Sequence, residues 1–121
     1  MLDQLSSIAK VTGVLSPGDD PKSYPFERML FRRWAGVSLV AFGRNVDPAD
    51  VPSSLAAEID RRAARVVLFG GRQDAVSSNI GGRLYFCPGS ANPRRRRDLP
   101  SVGLIELSGS RVRAEVVTVE R

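Results

Sequence analysis

An α/β fold is predicted for this 121-residue chain from three features of its sequence. A helical stretch over residues 53–64 runs into Val66-Val67-Leu68-Phe69, an unbroken apolar run of the kind found in strands buried on both faces, and the run stops at Gly70-Gly71. Two extended stretches, residues 26–34 and Val37–Phe42, meet at Ala35-Gly36, a short connection of hairpin type. Three β-rich segments then follow, Arg83–Cys87, 101–107 and 111–119, the last two joined by Ser108-Gly109-Ser110. The second half is therefore expected to be mainly antiparallel sheet.

The remaining elements fit around these. Leu2, Leu5, Ile8 and Ala9 recur at three- and four-residue spacing, which marks a short amphipathic helix ending near Lys10. Residues 11–15 follow as a brief strand, and Ser16-Pro17-Gly18-Asp19-Asp20-Pro21 ends it, since neither proline can donate to a ladder. Residues 45–52 form a polar loop. Ser53 or Ser54 is placed to cap the next helix, which extends to about Ala64 with Glu58 early and Arg61, Arg62 and Arg65 late, the charge order that suits a helix dipole. Together the segments make one domain, residues 1–121.

Composition closes several routes. The chain has no histidine, so imidazole cannot serve as base, shuttle or ligand, which excludes Ser-His-Asp hydrolysis and most zinc or manganese chemistry by this chain alone. A lone Cys87 excludes an internal disulfide and a thiolate cluster. No apolar stretch is long enough to span a bilayer, and residues 1–10 lack the pattern of a secretory leader, so no membrane association and a cytoplasmic location are expected. The formal net charge of +5 falls to +1 once Arg94, Arg95, Arg96 and Arg97 are set aside. Basicity is thus concentrated in one loop.

Read in order, residues 66–71, then Tyr85-Phe86-Cys87-Pro88-Gly89-Ser90, then residues 100–107 and a final strand resemble the C-terminal half of the calcineurin-like metallophosphoesterases, in particular the small single-domain bacterial and archaeal phosphodiesterases. In that family a buried strand ends in Gly-His-x-His, a hairpin returns to an Asn-Pro-Gly-Ser turn, and a Pro-Ser-Val-like strand pair closes the chain. Upstream, residues 11–19 look like the family's strand ending in Gly-Asn-x-Asp, and residues 37–44 like its strand ending in Thr-His-Gly-His. The resemblance implies a truncated four-layer α-β-β-α sandwich, with two mixed sheets face to face and helices outside. It also implies divalent metals such as manganese, held by two early motifs that this sequence lacks, by the Asn of the third motif and by the later histidines. Aligned without gaps, those later positions hold Pro17, Phe42, Gly71 and Gln73, while Asp19 alone matches a family acid. None replaces the lost ligand, and without a metal to lower the pKa of water the nucleophile is lost as well.

The expected function is therefore that of a degenerate, non-catalytic relative acting by binding or as an interaction scaffold, with no cofactor, as the retromer small subunit of the same fold does. One alternative is a metal-dependent phosphoesterase completed by an upstream segment or a partner chain. Another is polyanion or nucleic-acid binding through Arg94, Arg95, Arg96 and Arg97, whose guanidinium groups suit phosphate. Arg44 and Arg72 are candidate anion-binding residues, because the alignment puts them on the two loops that carry metal ligands in the family. Asp19-Asp20, Ser16 and Ser90 read as turn residues, and Cys87 as a buried thiol. A shortened sheet should leave an open edge beside residues 11–15 and Val66–Phe69, which predicts a homo-oligomer or a protein partner.

Overall fold

In a computed structural model, the structure describes residues 29–70, 74–90, 99–109 and 111–119. The expected helix over residues 2–10, the strand over 11–15 and the turn after it lie outside the described residues. Seven strands and one helix are described: β1 (Met29–Trp34), β2 (Val37–Phe42), α1 (Ser53–Arg61), β3 (Val66–Phe69), β4 (Val76–Ile80), β5 (Arg83–Cys87), β6 (Ser101–Ser108) and β7 (Arg111–Thr118). Strands β1 to β5 form one mixed sheet in the order β1-β2-β3-β5-β4, and β6 and β7 form a two-stranded sheet.

The apolar run β3 lies at the centre of the larger sheet, parallel to β2 on one side and to β5 on the other. Val66 and Val67 are wholly buried. Each face of the sheet carries a core. On one side Val40, Phe42, Val67, Phe69, Tyr85 and Cys87 pack with Ile59 and Ala64 of the helical segment. On the other, Val37, Leu39, Ala41, Val66, Leu84 and Phe86 pack against Ile105, Leu107, Val112, Ala114 and Val116 of the small sheet. The described residues thus make three layers, with the helix over one face and the β6–β7 hairpin over the other.

The expectation of a mainly antiparallel second half holds for the β4–β5 and β6–β7 pairings, while β5 also joins the larger sheet parallel to β3. Three features differ from expectation. Strand β4 went unread, since its polar Val-Ser-Ser-Asn-Ile sequence suits an edge with one wet face. Val66–Phe69 does not border an open edge: both its ladders are filled. Finally, α1 starts after Pro52 with no side-chain cap and ends at Arg61. The early stop is a backbone event. Ala63 turns left-handed at φ 49°, and the Ala63 and Ala64 amides donate to the Asp60 and Ile59 carbonyls, the paired bonds of a Schellman ending with alanine where glycine is usual.

Arg61 and Arg62 both donate to Glu58 one turn earlier. The hydrogen bond from Arg61 holds the Glu58 carboxyl below its ordinary pKa. Because the folded value is the lower one, this contribution is present above the ordinary carboxylate pKa and is lost as pH falls through the folded value.

Three substitutions test these local features. Ala35 and Gly36 both have positive φ, 51° and 77°, as a type I′ turn requires. A left-handed alanine costs about 1 kcal/mol. Ala63→Gly and Ala35→Asn should therefore each raise the melting temperature by roughly 4 °C. Gly103→Ala should lower it, because a Cβ there would sit 2.5 Å from Phe86 Cε1, inside the packed face, and such overpacking costs about 1–3 kcal/mol. Thermal unfolding followed by circular dichroism measures all three.

Candidate functional site

Parallel pairing of β2, β3 and β5 brings their C-terminal ends to one edge of the sheet, where Phe42 pairs with Phe69 and Leu68 with Phe86. The loops that follow these strands leave from the same edge, the place where open α/β sheets bind ligands. β1 and β4 run antiparallel to their neighbours and so begin there, at Met29 opposite Phe42 and at Val76 opposite Cys87.

The loop after β2 is anchored by Val46, 1% exposed in the helix-side core. Asp47 shapes its turn, accepting the Ala49 amide on Oδ1 and the Asp50 amide on its carbonyl. Arg44 stands exposed on this loop, two residues beyond β2. The loop after β5 is tied to the second sheet at Ser101, whose hydroxyl donates to the Pro88 carbonyl at 2.6 Å and whose amide donates to the Ser90 carbonyl. This places Ser90 in a connecting turn. Cys87 ends β5 with no exposed surface.

Of the predicted anion-binding residues the structure therefore places Arg44 at this edge. Arg72 and the four arginines at positions 94 to 97 lie outside the described residues, as do Ser16, Pro17, Asp19, Asp20, Gly71 and Gln73. The strand ends and loops described here do not fit the divalent metals that the resemblance implies. Phe42, at the middle histidine position, is 4% exposed and packed into the helix-side core, so an apolar ring fills the place of a donor. Among the described residues no group of three His, Cys, Asp or Glu side chains could hold a metal ion, and the permanent cation of Arg44 beside the edge opposes one electrostatically.

The opposite edge, where β2, β3 and β5 begin, is basic. The Arg65 amide donates to the Ser38 carbonyl, the Leu84 amide donates to the Arg65 carbonyl, and Ser38 is the cross-strand partner of Arg33. Arg33, Arg65 and Arg83 are thus set along one edge at β1, β3 and β5, with Ser38 of β2 between the first two. Sequence reasoning missed this set because its members are about 20 to 30 residues apart and only strand order joins them.

No protein-family model matches the chain, and no curated protein matches it in sequence. Solved structures do match. Vps29 from Entamoeba histolytica, in a crystal structure described as complexed with Zn2+, is similar at a TM-score of 0.69 and 20% identity, over 97% of this chain and 74% of that one. Vps29 from Chaetomium thermophilum gives a TM-score of 0.71 at 18% identity, over 97% of this chain and 72% of that one. An archaeal phosphodiesterase gives 0.54 at 15% identity, over 76% of this chain and 52% of that one. Among the described residues no helix is long and apolar enough to cross a membrane. At these identities the likeness is one of architecture, and the chain has the α/β fold of the calcineurin-like metallophosphoesterases.

Proposed function

We propose that the chain is a non-catalytic binding protein on a metallophosphoesterase-like frame, one domain over residues 1–121, working in the cytoplasm as an interaction scaffold without a metal cofactor. The observation that carries this reading is the filling of the C-terminal strand edge by Phe42, which packs into the core where the family places a ligand. Arg44 gives that edge a positive charge suited to an anionic group of a partner. A lone, buried Cys87 suits a reducing compartment.

The outer face of the small sheet supports a binding role. Alternation sends Ile105 and Leu107 inward and leaves Leu104 56%, Val119 44% and Val102 41% exposed on the outward side. Toward the β6–β7 turn the same outward face carries Glu106 opposite Arg113, with Arg111 and Glu115 beside them. Two acids and two arginines on one small face allow it to meet a two-fold copy of itself, apolar end and charged end each finding a complement. A second copy of this chain is therefore the partner assigned to it.

Two experiments test the reading. After manganese loading and desalting, the protein should retain less than a stoichiometric metal and should leave a simple aryl phosphodiester unhydrolysed; one tightly held metal per chain with metal-dependent turnover would favour the phosphoesterase alternative. In light scattering on size-exclusion fractions at low micromolar concentration, the parent should run as a dimer and Leu104→Glu as a monomer of unchanged circular dichroism. A parent that is monomeric throughout would remove the self-association.

A further inference from the structure

The outward face of the β6–β7 hairpin is a ladder of four rungs. From the open end toward the turn they are Val102 opposite Val117, Leu104 opposite Glu115, Glu106 opposite Arg113, and Ser108 opposite Arg111. The residues between them, Ile105, Leu107, Val112, Ala114 and Val116, pack on the larger sheet, so alternation fixes the outward set. The rungs are graded along the strands. Apolar side chains stand at the open end, with Val119 following on the β7 side, and the charges gather toward Gly109.

Glu106, Arg111, Arg113 and Glu115 are all exposed. Opposite charges facing each other across a ladder ordinarily attract, yet among the described residues these four form no ion pair with one another or with any neighbour. Their charge is available to a partner.

How two copies meet follows from this order, and the argument rests on the reading of this face as the self-association surface. A second copy can lie face to face on the hairpin by either of two half-turns, about an axis across the strands or an axis along them. They bring different residues together. The axis across the strands sets Val102 on the partner's Ser108 and Leu104 on the partner's Glu106, so that apolar side chains take polar groups out of water without pairing them. The axis along the strands keeps each rung on its own rung and exchanges the strands. Val102 and Val117 of both copies then gather at one end, Glu106 lies on the partner's Arg113, and Arg113 on the partner's Glu106. Facing sheets lie about 10 Å apart with strands within about 30° of each other, a gap that a glutamate and an arginine span together.

We propose that two copies associate about the axis along the strands, β6 of each over β7 of the other and both turns at the same end, with Glu106 and Arg113 specifying self-recognition. The valine end supplies the dry contact, and the charged rung excludes the other half-turn and surfaces that do not carry the same exchanged pair.

The test uses the full chain and light scattering on size-exclusion fractions over a dilution series around low micromolar concentration, with circular dichroism to confirm the fold of each variant. Glu106→Arg alone and Arg113→Glu alone should each be monomeric, dimerising at least tenfold more weakly than the parent, since each sets like charges on one another across the axis. An equimolar mixture of the two should run as a dimer, because each variant supplies the charge that the other has lost. Pairing within one hairpin cannot produce that rescue, as each chain still carries like charges on its own rung. If either reversal prevents folding, Glu106→Gln and Arg113→Gln serve, and each should weaken the dimer and reduce its dependence on salt. An unchanged dimer in folded Glu106→Arg, or Gln variants with the parent's affinity and salt dependence, would overturn this arrangement and leave self-association standing. So would rescue on mixing Arg113→Glu with Glu115→Arg, which belongs to the axis across the strands. A parent that is monomeric throughout would overturn both.

Discussion

The rest of the structure depends on the burial of a four-residue strand on both of its faces and along both of its edges. Val66, Val67 and Phe69 expose almost nothing, and with parallel partners on either side every face and ladder of β3 is filled by protein. An apolar run of this kind cannot be left at a border without exposing surface worth about 25 cal/mol per Å² together with unpaired backbone groups. Its neighbours follow from that demand. The helix and the Ile59–Ala64 corner close one face, the β6–β7 hairpin closes the other, and the parallel direction of β2, β3 and β5 sets two chemically different edges at the ends of the strands.

Those two edges divide the chemistry. At the C-terminal edge the described strand ends and loops are closed by packing and hydrogen bonds: Phe42 contributes to the core, and Ser101 donates to the Pro88 and Ser90 carbonyls. Such packing favours stability, since an apolar ring in a core needs no hydrogen-bond partner, whereas a buried imidazole or carboxylate does. At the N-terminal edge the strands begin with arginines. There charge accumulates at the negative end of α1 and continues past it onto β1, where the helix no longer accounts for it.

Much of this was legible in the sequence wherever the signal was local. The hairpin at Ala35-Gly36, the buried run at 66–69 and the paired strands around Gly109 are written in adjacent residues, and the structure has them. What escaped was set by partners distant in the chain. β4 was missed because a polar edge strand lacks the apolar alternation that marks a half-buried one, although Gly81-Gly82 between Ile80 and Arg83 is a hairpin signal. The parallel position of β5 was missed because the direction of a pairing is decided by which ladder is open. The helix stop was missed because alanine at 63 gives no sign that it will turn left-handed. At the candidate site, the apolar Phe42 at the end of its strand and the absence of histidine could be read from the sequence, whereas the row Arg33, Arg65 and Arg83 exists only once strand order is known.

The central claim is that the metallophosphoesterase-like frame stands on packing of the parallel centre and does not need a metal at its strand edge. Amide hydrogen exchange on the chain in chelator, and again with excess manganese, tests this most directly. The account predicts that the slowest amides belong to β2, β3 and β5 and that their protection is the same in both conditions. Fast exchange in these strands in chelator, with slow exchange only on adding metal, would contradict it.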